Sequence, residues 1–299
     1  MVNVPMHRFA LILAVSTFFL VIAGASVTSN QAGLSVPDWP LSYGQVMPEM
    51  KGGVFFEHGH RMIASFVGFL TVIMAIWLWR SDDRKWMKAL GFAALGAVIL
   101  QGVLGGMTVL FLLPKAVSIS HACLAQLFFS TTVGIAIFTA PGWRRGPESV
   151  EDSGWPSLRF LAVCASFLTL GQIALGAGFR HRAFGIIPHV TGAVIVSIAL
   201  FTVATFVLVQ FPKHVALCRA AWASIGVTIL QVSLGILAYV VRLNHWDSAY
   251  PTGTLVASTV AHVAFGALTL ATSIVLAIEV FYHVRPRAAV TAGLTAVSR

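Results

Sequence analysis

Eight mostly apolar runs, near residues 9–28, 60–79, 87–112, 117–140, 158–179, 184–211, 217–241 and 254–282, divide this 299-residue chain. They constrain the fold more than any motif does. A bilayer's hydrocarbon core takes about 20 apolar residues per spanning helix, and only structures that satisfy their own backbone polar groups can cross it. With 58% hydrophobic residues, 10% charged residues and a mean hydropathy of +0.87, a soluble domain is excluded. The expectation is an all-α integral membrane protein with eight transmembrane helices.

A net charge of +9 would suit nucleic acid, but the basic residues sit in short loops, where the positive-inside rule is the better test. With the N-terminus in the cytoplasm, 13 of the 19 Lys and Arg residues lie inside and 6 outside. Both termini are therefore expected to be cytoplasmic, with the membrane as partner and no nucleic acid. The first run also meets the description of a cleaved signal peptide, with MVNVPMHR as basic region and GAS as cleavage site. Cleavage would leave seven spans and break the repeat described next. Cys123, Cys164 and Cys218 lie in or beside helices, so no pair is placed for a disulfide in an outer loop.

The odd-numbered runs end alike, in FFLVIAGASVTS (18–29), LQGVLGGMTVL (100–110), LGQIALGAGF (170–179) and LQVSLGILAYV (230–240). Three carry Gln-x-x-Leu-Gly, at Gln101, Gln172 and Gln231. Small residues there allow close helix approach, and a buried glutamine needs a polar partner. The even-numbered runs each begin with a histidine within roughly two and a half turns: His60, His121, His189 and His262. The chain thus reads as two pseudo-symmetric four-helix bundles, residues 1–140 and 158–299. PGWRRGPESVEDSGWPS, residues 141–157, carries both signs of charge and joins them as a cytoplasmic linker.

A single histidine in a helix is usually a hydrogen-bonded core residue. Four at matched places point to function, because ionisable residues inside a membrane are costly. On this topology all four lie at one depth, towards the outer face. Helix bundles hold cofactors between histidines on facing helices, and two imidazoles per half supply both axial ligands of one heme. Two hemes per chain are expected. Zinc fits less well, since no cysteine or acidic cluster accompanies three of the four sites. A proton relay would need carboxylates through the membrane, yet only Glu279 sits deep in a helix, where pairing with Arg285 or Arg287 accounts for it. His58 points to a different helix face from His60; His181 and His245 fall in outer loops, and His7, His214 and His283 near the inner surface. Arg61, Arg180 and Arg182 are placed to neutralise heme propionates, with His58 and His181 as further contacts.

Glu57 precedes His60 by three residues and so shares its helix face, at the edge of that heme's pocket. The matching positions before the other histidines hold Ser118, Ile186 and Thr259. This asymmetry suggests that one heme is acted upon while the other carries electrons. A carboxylate beside the macrocycle accepts a proton from, or stabilises positive charge on, an oxidised ring substituent. The plainer reading is an acid favoured by the dipole at a helix N-terminus. The preceding loop, QAGLSVPDWPLSYGQVMPEM (31–50), is long and rich in proline and aromatic residues. It reads as an ordered lid over the first bundle, or as a loop anchored at the interface by Trp39.

GASVTSNQAGLSVPDWPLSYGQVMPE followed by FFEHGHR, with histidines opening the even helices, resembles the heme A synthase family along nearly the whole chain. PDWPLSYG and EHGHR are the most specific parts. Such enzymes oxidise a ring methyl of heme O to a formyl group, giving heme A for terminal oxidases. The resemblance implies that the N-terminal half holds the substrate heme near His60 and His121, with Glu57 as the essential acid. It implies that the C-terminal half holds a heme b between His189 and His262 and passes electrons. It also implies a location in the cell's inner (plasma) membrane and contact with the prenyltransferase that makes heme O and with an electron donor. Many bacterial members carry a cysteine pair flanking the proline-tryptophan segment; here the comparable places hold Val36 and Ser42, which rules out a thiol-dependent step in that loop.

The main rival is a di-heme b-type membrane electron-transfer cytochrome serving a quinone, which would require neither Glu57 nor a lid. A prenyltransferase making heme O would need aspartate-rich magnesium motifs, but Asp38 and Asp247 are the only outer aspartates and Asp82 and Asp83 the only close pair. The inverted pattern and broken helices of a transporter are not evident.

Overall fold

The computed structural model describes residues 3–152, 154–245 and 250–286. Its helices are α1 (Val4–Ser29), α2 (Gly52–Ser81), α3 (Lys85–Leu110), α4 (Lys115–Thr139), α5 (Leu158–Arg180), α6 (Ile187–Gln210), α7 (Val215–Asn244) and α8 (Gly253–His283). All eight are long and apolar enough to cross a membrane, each rising about 1.5 Å per residue. Several start where a side chain caps the first turn: Asn3 accepts from the Met6 N–H, Ser157 from Phe160 and Thr252 from Leu255.

Apolar content underestimates α2. The run begins near residue 60, but the helix starts at Gly52, so EHGHR lies inside it. Hydropathy reports what faces lipid, whereas Glu57, His58 and Arg61 in the second and third turns of α2 are polar because they bond to the loop before them.

Contacts close the helices into two rings. α1 meets α2 and α4, and α3 meets α2 and α4; α5 meets α6 and α8, and α7 meets α6 and α8. The first ring packs around Leu13, Met74, Leu78, Met87 and Ile135, the second around Leu158, Leu200, Leu217 and Leu276. Between the rings, α8 lies against α1 and α4, and α4 against α5. Val21, Phe129, Ala267 and Ala271 form the apolar centre of that seam. Alanine at the α8 positions lets the rings approach closely, as small residues do between helices in lipid.

The 141–157 segment is docked rather than a free tether. Its strand β1 (Val150–Asp152) pairs in parallel with β2 (Val284–Pro286), a small addition to the all-α expectation. Asp152 accepts the N–H groups of Gly154 at 2.9 Å and Leu158 at 2.7 Å, which starts α5. Arg144 pairs with Asp83 at 2.7 Å, and Trp143 stacks on Tyr282 at 3.9 Å between ring centroids. Glu279 departs from expectation: its partner is His283 at 3.3 Å, one turn along α8, rather than Arg285. The expectations that involve Asp247, Arg287 and Arg299 lie outside the described residues.

Candidate functional site

The four matched histidines are the ninth residue of α2, the seventh of α4, the third of α6 and the tenth of α8. They sit at the end of the molecule that carries the 30–51 loop, opposite the 141–157 segment. His60 and His121 face each other across the first ring closely enough to interact electrostatically. In the second ring the His189 and His262 imidazoles stand 6.1 Å apart between centroids, at 85° to one another.

Each imidazole is seated on a glycine of the preceding odd helix. A Cβ added at Gly24 would lie 3.1 Å from Cε1 of His60, at Gly105 3.4 Å from His121, at Gly176 2.8 Å from His189 and at Gly235 2.9 Å from His262. Three of these glycines close the Gln-x-x-Leu-Gly motifs. Sequence reading took the motif as a helix contact, but what approaches the glycine is the edge of an imidazole. Gln172 faces the same ring as its glycine: its Nε2 donates to the His189 carbonyl at 2.8 Å and lies 3.0 Å from Nδ1. Among the described residues, Nδ1 of His60, His121 and His262 is buried without a hydrogen-bond partner.

These residues fit a heme. An imidazole nitrogen binds a metal at about 2 Å, so two rings ligating one ion from opposite sides stand roughly 6 Å apart between centroids. The separation of His189 and His262 meets that requirement. Among the described residues no group of three or more His, Cys, Asp or Glu is placed to hold a bare metal ion. Histidines in twos match axial ligation instead.

Among the described residues only the first ring carries an acid and a lid. Glu57, 4% exposed, uses both oxygens: Oε1 accepts from Arg61 Nη2 at 2.6 Å and Oε2 from the Val36 N–H at 2.9 Å. Arg61 Nη1 donates to the carbonyls of Asp38 and Leu41, each at 2.8 Å. Arg61 is thus committed to the loop and to Glu57. The Asp38 carboxylate accepts from the Tyr43 N–H at 2.6 Å and the Gly44 N–H at 2.8 Å, and chiefly through Gly44 it is held below the ordinary carboxylate pKa. Trp39 lies against α3 at Gly106, where a Cβ would stand 2.8 Å from its ring, next to the glycine that seats His121. The loop is an ordered lid, tied to α2 and resting on α3.

Cations gather where the rings meet. Arg180 Nη2 donates to Ser29 Oγ at 2.9 Å, which ties α5 to α1, and its nearest charged neighbour is Arg242. Among the described residues neither arginine has an ion-pair partner. His181, at the end of α5, reaches the surroundings of His121 in the other ring. Burial, and then the charge on Arg180, lowers its pKa. At the opposite end His214 and His283 stand 4.4 Å apart, both bonded to the Glu148 carbonyl, a cluster sequence reading did not bring together.

The COX15-CtaA family model, described as cytochrome oxidase assembly protein, matches residues 48–187. That stretch takes in Glu57, His60, Arg61 and His121 and stops short of His189. Among similar proteins, a heme A synthase of Alkalihalophilus pseudofirmus is 30% identical over 139 residues, 44% of this chain and 47% of that protein. One from Symbiobacterium thermophilum is 31% identical over 168 residues, 54% of each chain. One from Shouchella clausii is 28% identical over 243 residues, 78% of this chain and 72% of that protein. The chain spans about half the length of the first two relatives and more of the third. Alongside eight spanning helices and paired histidines, these matches make the chain similar to the COX15-CtaA family model over residues 48–187 and to heme A synthases over comparable or longer stretches.

Proposed function

We propose that the protein is a heme A synthase, a membrane oxidoreductase that converts the ring methyl of heme O to the formyl group of heme A. The observation that carries this reading is the asymmetry between two otherwise matched histidine sites: among the described residues, the site at His60 and His121 alone is joined to an acid and a lid. On this reading residues 1–140 hold the substrate heme and residues 158–299 hold a heme b between His189 and His262. The names of the relatives support the activity.

Bound heme supplies the redox chemistry in both halves; the chain supplies position, charge and proton handling. His60 and His121 orient the substrate heme, and their glycine seats set the ring tilt. Glu57, one turn before His60, accepts the proton released as the methyl substituent is oxidised. Its bonds to Arg61 and the Val36 N–H aim the carboxylate and couple it to lid closure. The lid, with Trp39 on α3, limits water at the site. In the second half Gln172, whose Nε2 donates to the His189 carbonyl and lies 3.0 Å from its Nδ1, holds the orientation of that imidazole. Arg180 and Arg242, without acidic partners among the described residues, neutralise propionates at the junction of the two halves. We place the protein in the inner membrane with both termini cytoplasmic and the heme sites towards the outer face. It would receive heme O from a prenyltransferase and electrons from a separate donor.

The deciding test is to purify the chain from membranes that supply heme O and to separate the extracted hemes by chromatography with mass detection. Heme b together with heme O, its hydroxylated form or heme A is the expected result. Heme b alone, at about two per chain, would replace the synthase by a di-heme electron carrier.

A further inference from the structure

Val36 and Ser42, three residues either side of Trp39 in the lid, are both fully buried. Each is bonded to the start of α2. The Val36 N–H donates to Glu57 Oε2 at 2.9 Å, and Ser42 Oγ lies 2.8 Å from Nδ1 of His58, itself buried. Between them Arg61 holds the carbonyls of Asp38 and Leu41, and its Nη1 also reaches Ser42 Oγ at 3.4 Å. A short bridge between Ser42 and Gln45 closes the far side.

Arg61 only donates, so it meets Ser42 at an oxygen lone pair; the hydroxyl keeps its hydrogen and a second lone pair, and one of these completes the bond to Nδ1 of His58 in either tautomer. His58 is two residues from His60 and, at about 100° per residue on a helix, faces the lid rather than the ring interior. It therefore has no part in the paired histidines.

We infer that Ser42 and His58 are positioning residues that latch the 36–42 segment onto α2 by hydrogen bonds. Through the shared partners Arg61 and Glu57 the latch sets the lid over the first site. The proposal rests on the heme A synthase reading only for what lies beneath the lid. Because no sulfur takes part, lid closure in this protein is independent of thiol redox state.

The test is hydrogen–deuterium exchange with mass detection on the full chain in lipid nanodiscs, comparing wild type with Ser42→Ala, His58→Ala and His58→Asn. Loss of one buried hydrogen bond should raise exchange of amides 36–45 roughly tenfold in both alanine variants, while peptides from α4 and α6 stay unchanged. Asparagine places an amide near the position of Nδ1, so His58→Asn should restore protection. The alanine variants should raise KM for heme O and leave the heme spectrum of the second half intact. Unchanged lid exchange in both alanine variants, or acceleration spread evenly over all helices, would overturn the latch. If the lid responds as expected but heme O is neither bound nor converted by wild type, the latch stands and the synthase reading fails.

Discussion

At the residue scale Glu57 holds the lid and is proposed as the proton acceptor, and the two roles can be separated. Its nearness to His60 is legible in the sequence because three residues is one helical turn. Its bond to Val36 is not, because the partner lies 21 residues away and is a backbone group. Glu57→Gln keeps an oxygen for the Val36 N–H but removes the proton acceptor, so it should hold the lid and both hemes while conversion of heme O stops. Full conversion by that variant would refute the assigned role. Glu57→Ala should in addition leave the Val36 N–H and an Arg61 donor unpaired, costing about 1–3 kcal/mol of local stability, measurable as faster lid proteolysis. Asp38 gives the lid a pH dependence whose sign is determined. Its pKa in the folded chain lies below the ordinary 3.8, so its contribution is complete above that value and is lost as pH falls through the lowered one. Pepsin should therefore cut within residues 31–50 only in strong acid, and in Asp38→Asn this pH step should vanish.

At the scale of elements, the repeat was visible as a pattern but its purpose was not. Gln-x-x-Leu-Gly predicted close approach, and the structure shows that the group approaching is an imidazole from the next helix. The first bundle has the same seat, Gly24, without the glutamine, so the motif alone would miss it. The seats make a graded prediction. Alanine at Gly176 or Gly235 puts a methyl 2.8 or 2.9 Å from the ring of His189 or His262, whereas at Gly105 the approach to His121 is an easier 3.4 Å. Gly176→Ala and Gly235→Ala should each cost about 1–3 kcal/mol and shift or bleach the heme b spectrum, with Gly105→Ala milder. His189→Ala and His262→Ala should each abolish that spectrum; an unchanged spectrum in either would refute the ligand assignment. The early start of α2 belongs to this scale too, since its polar turns are stabilised by the lid above them rather than by lipid.

For the whole molecule, two rings of four helices share one seam, and the two sites meet there. Arg180 bonds Ser29 across it, and His181 of the second half neighbours His121 of the first. On the proposed orientation, with both termini cytoplasmic, the 141–157 segment lies on the cytoplasmic face as well, packed on Tyr282 and paired with Val284–Pro286. Single cysteines introduced at Glu148 or Trp155 in a background without the native three should react with a membrane-impermeant reagent only after the cytoplasmic face is opened. Labelling from the outside would reverse the orientation and with it the depth of the heme sites.

What the sequence determined by itself is whatever depends on composition and local period: eight apolar spans, their division into halves, the four matched histidines and the acid one turn from His60. A bilayer enforces these rules segment by segment, so they can be read one segment at a time. Tertiary structure alone decided the contacts between residues far apart in the chain: which glycine seats which imidazole, that Glu57 and Arg61 hold the lid, that Ser42 meets His58, and that Glu279 turns to His283. Those choices depend on how helices rotate and pack against one another, which no single segment specifies.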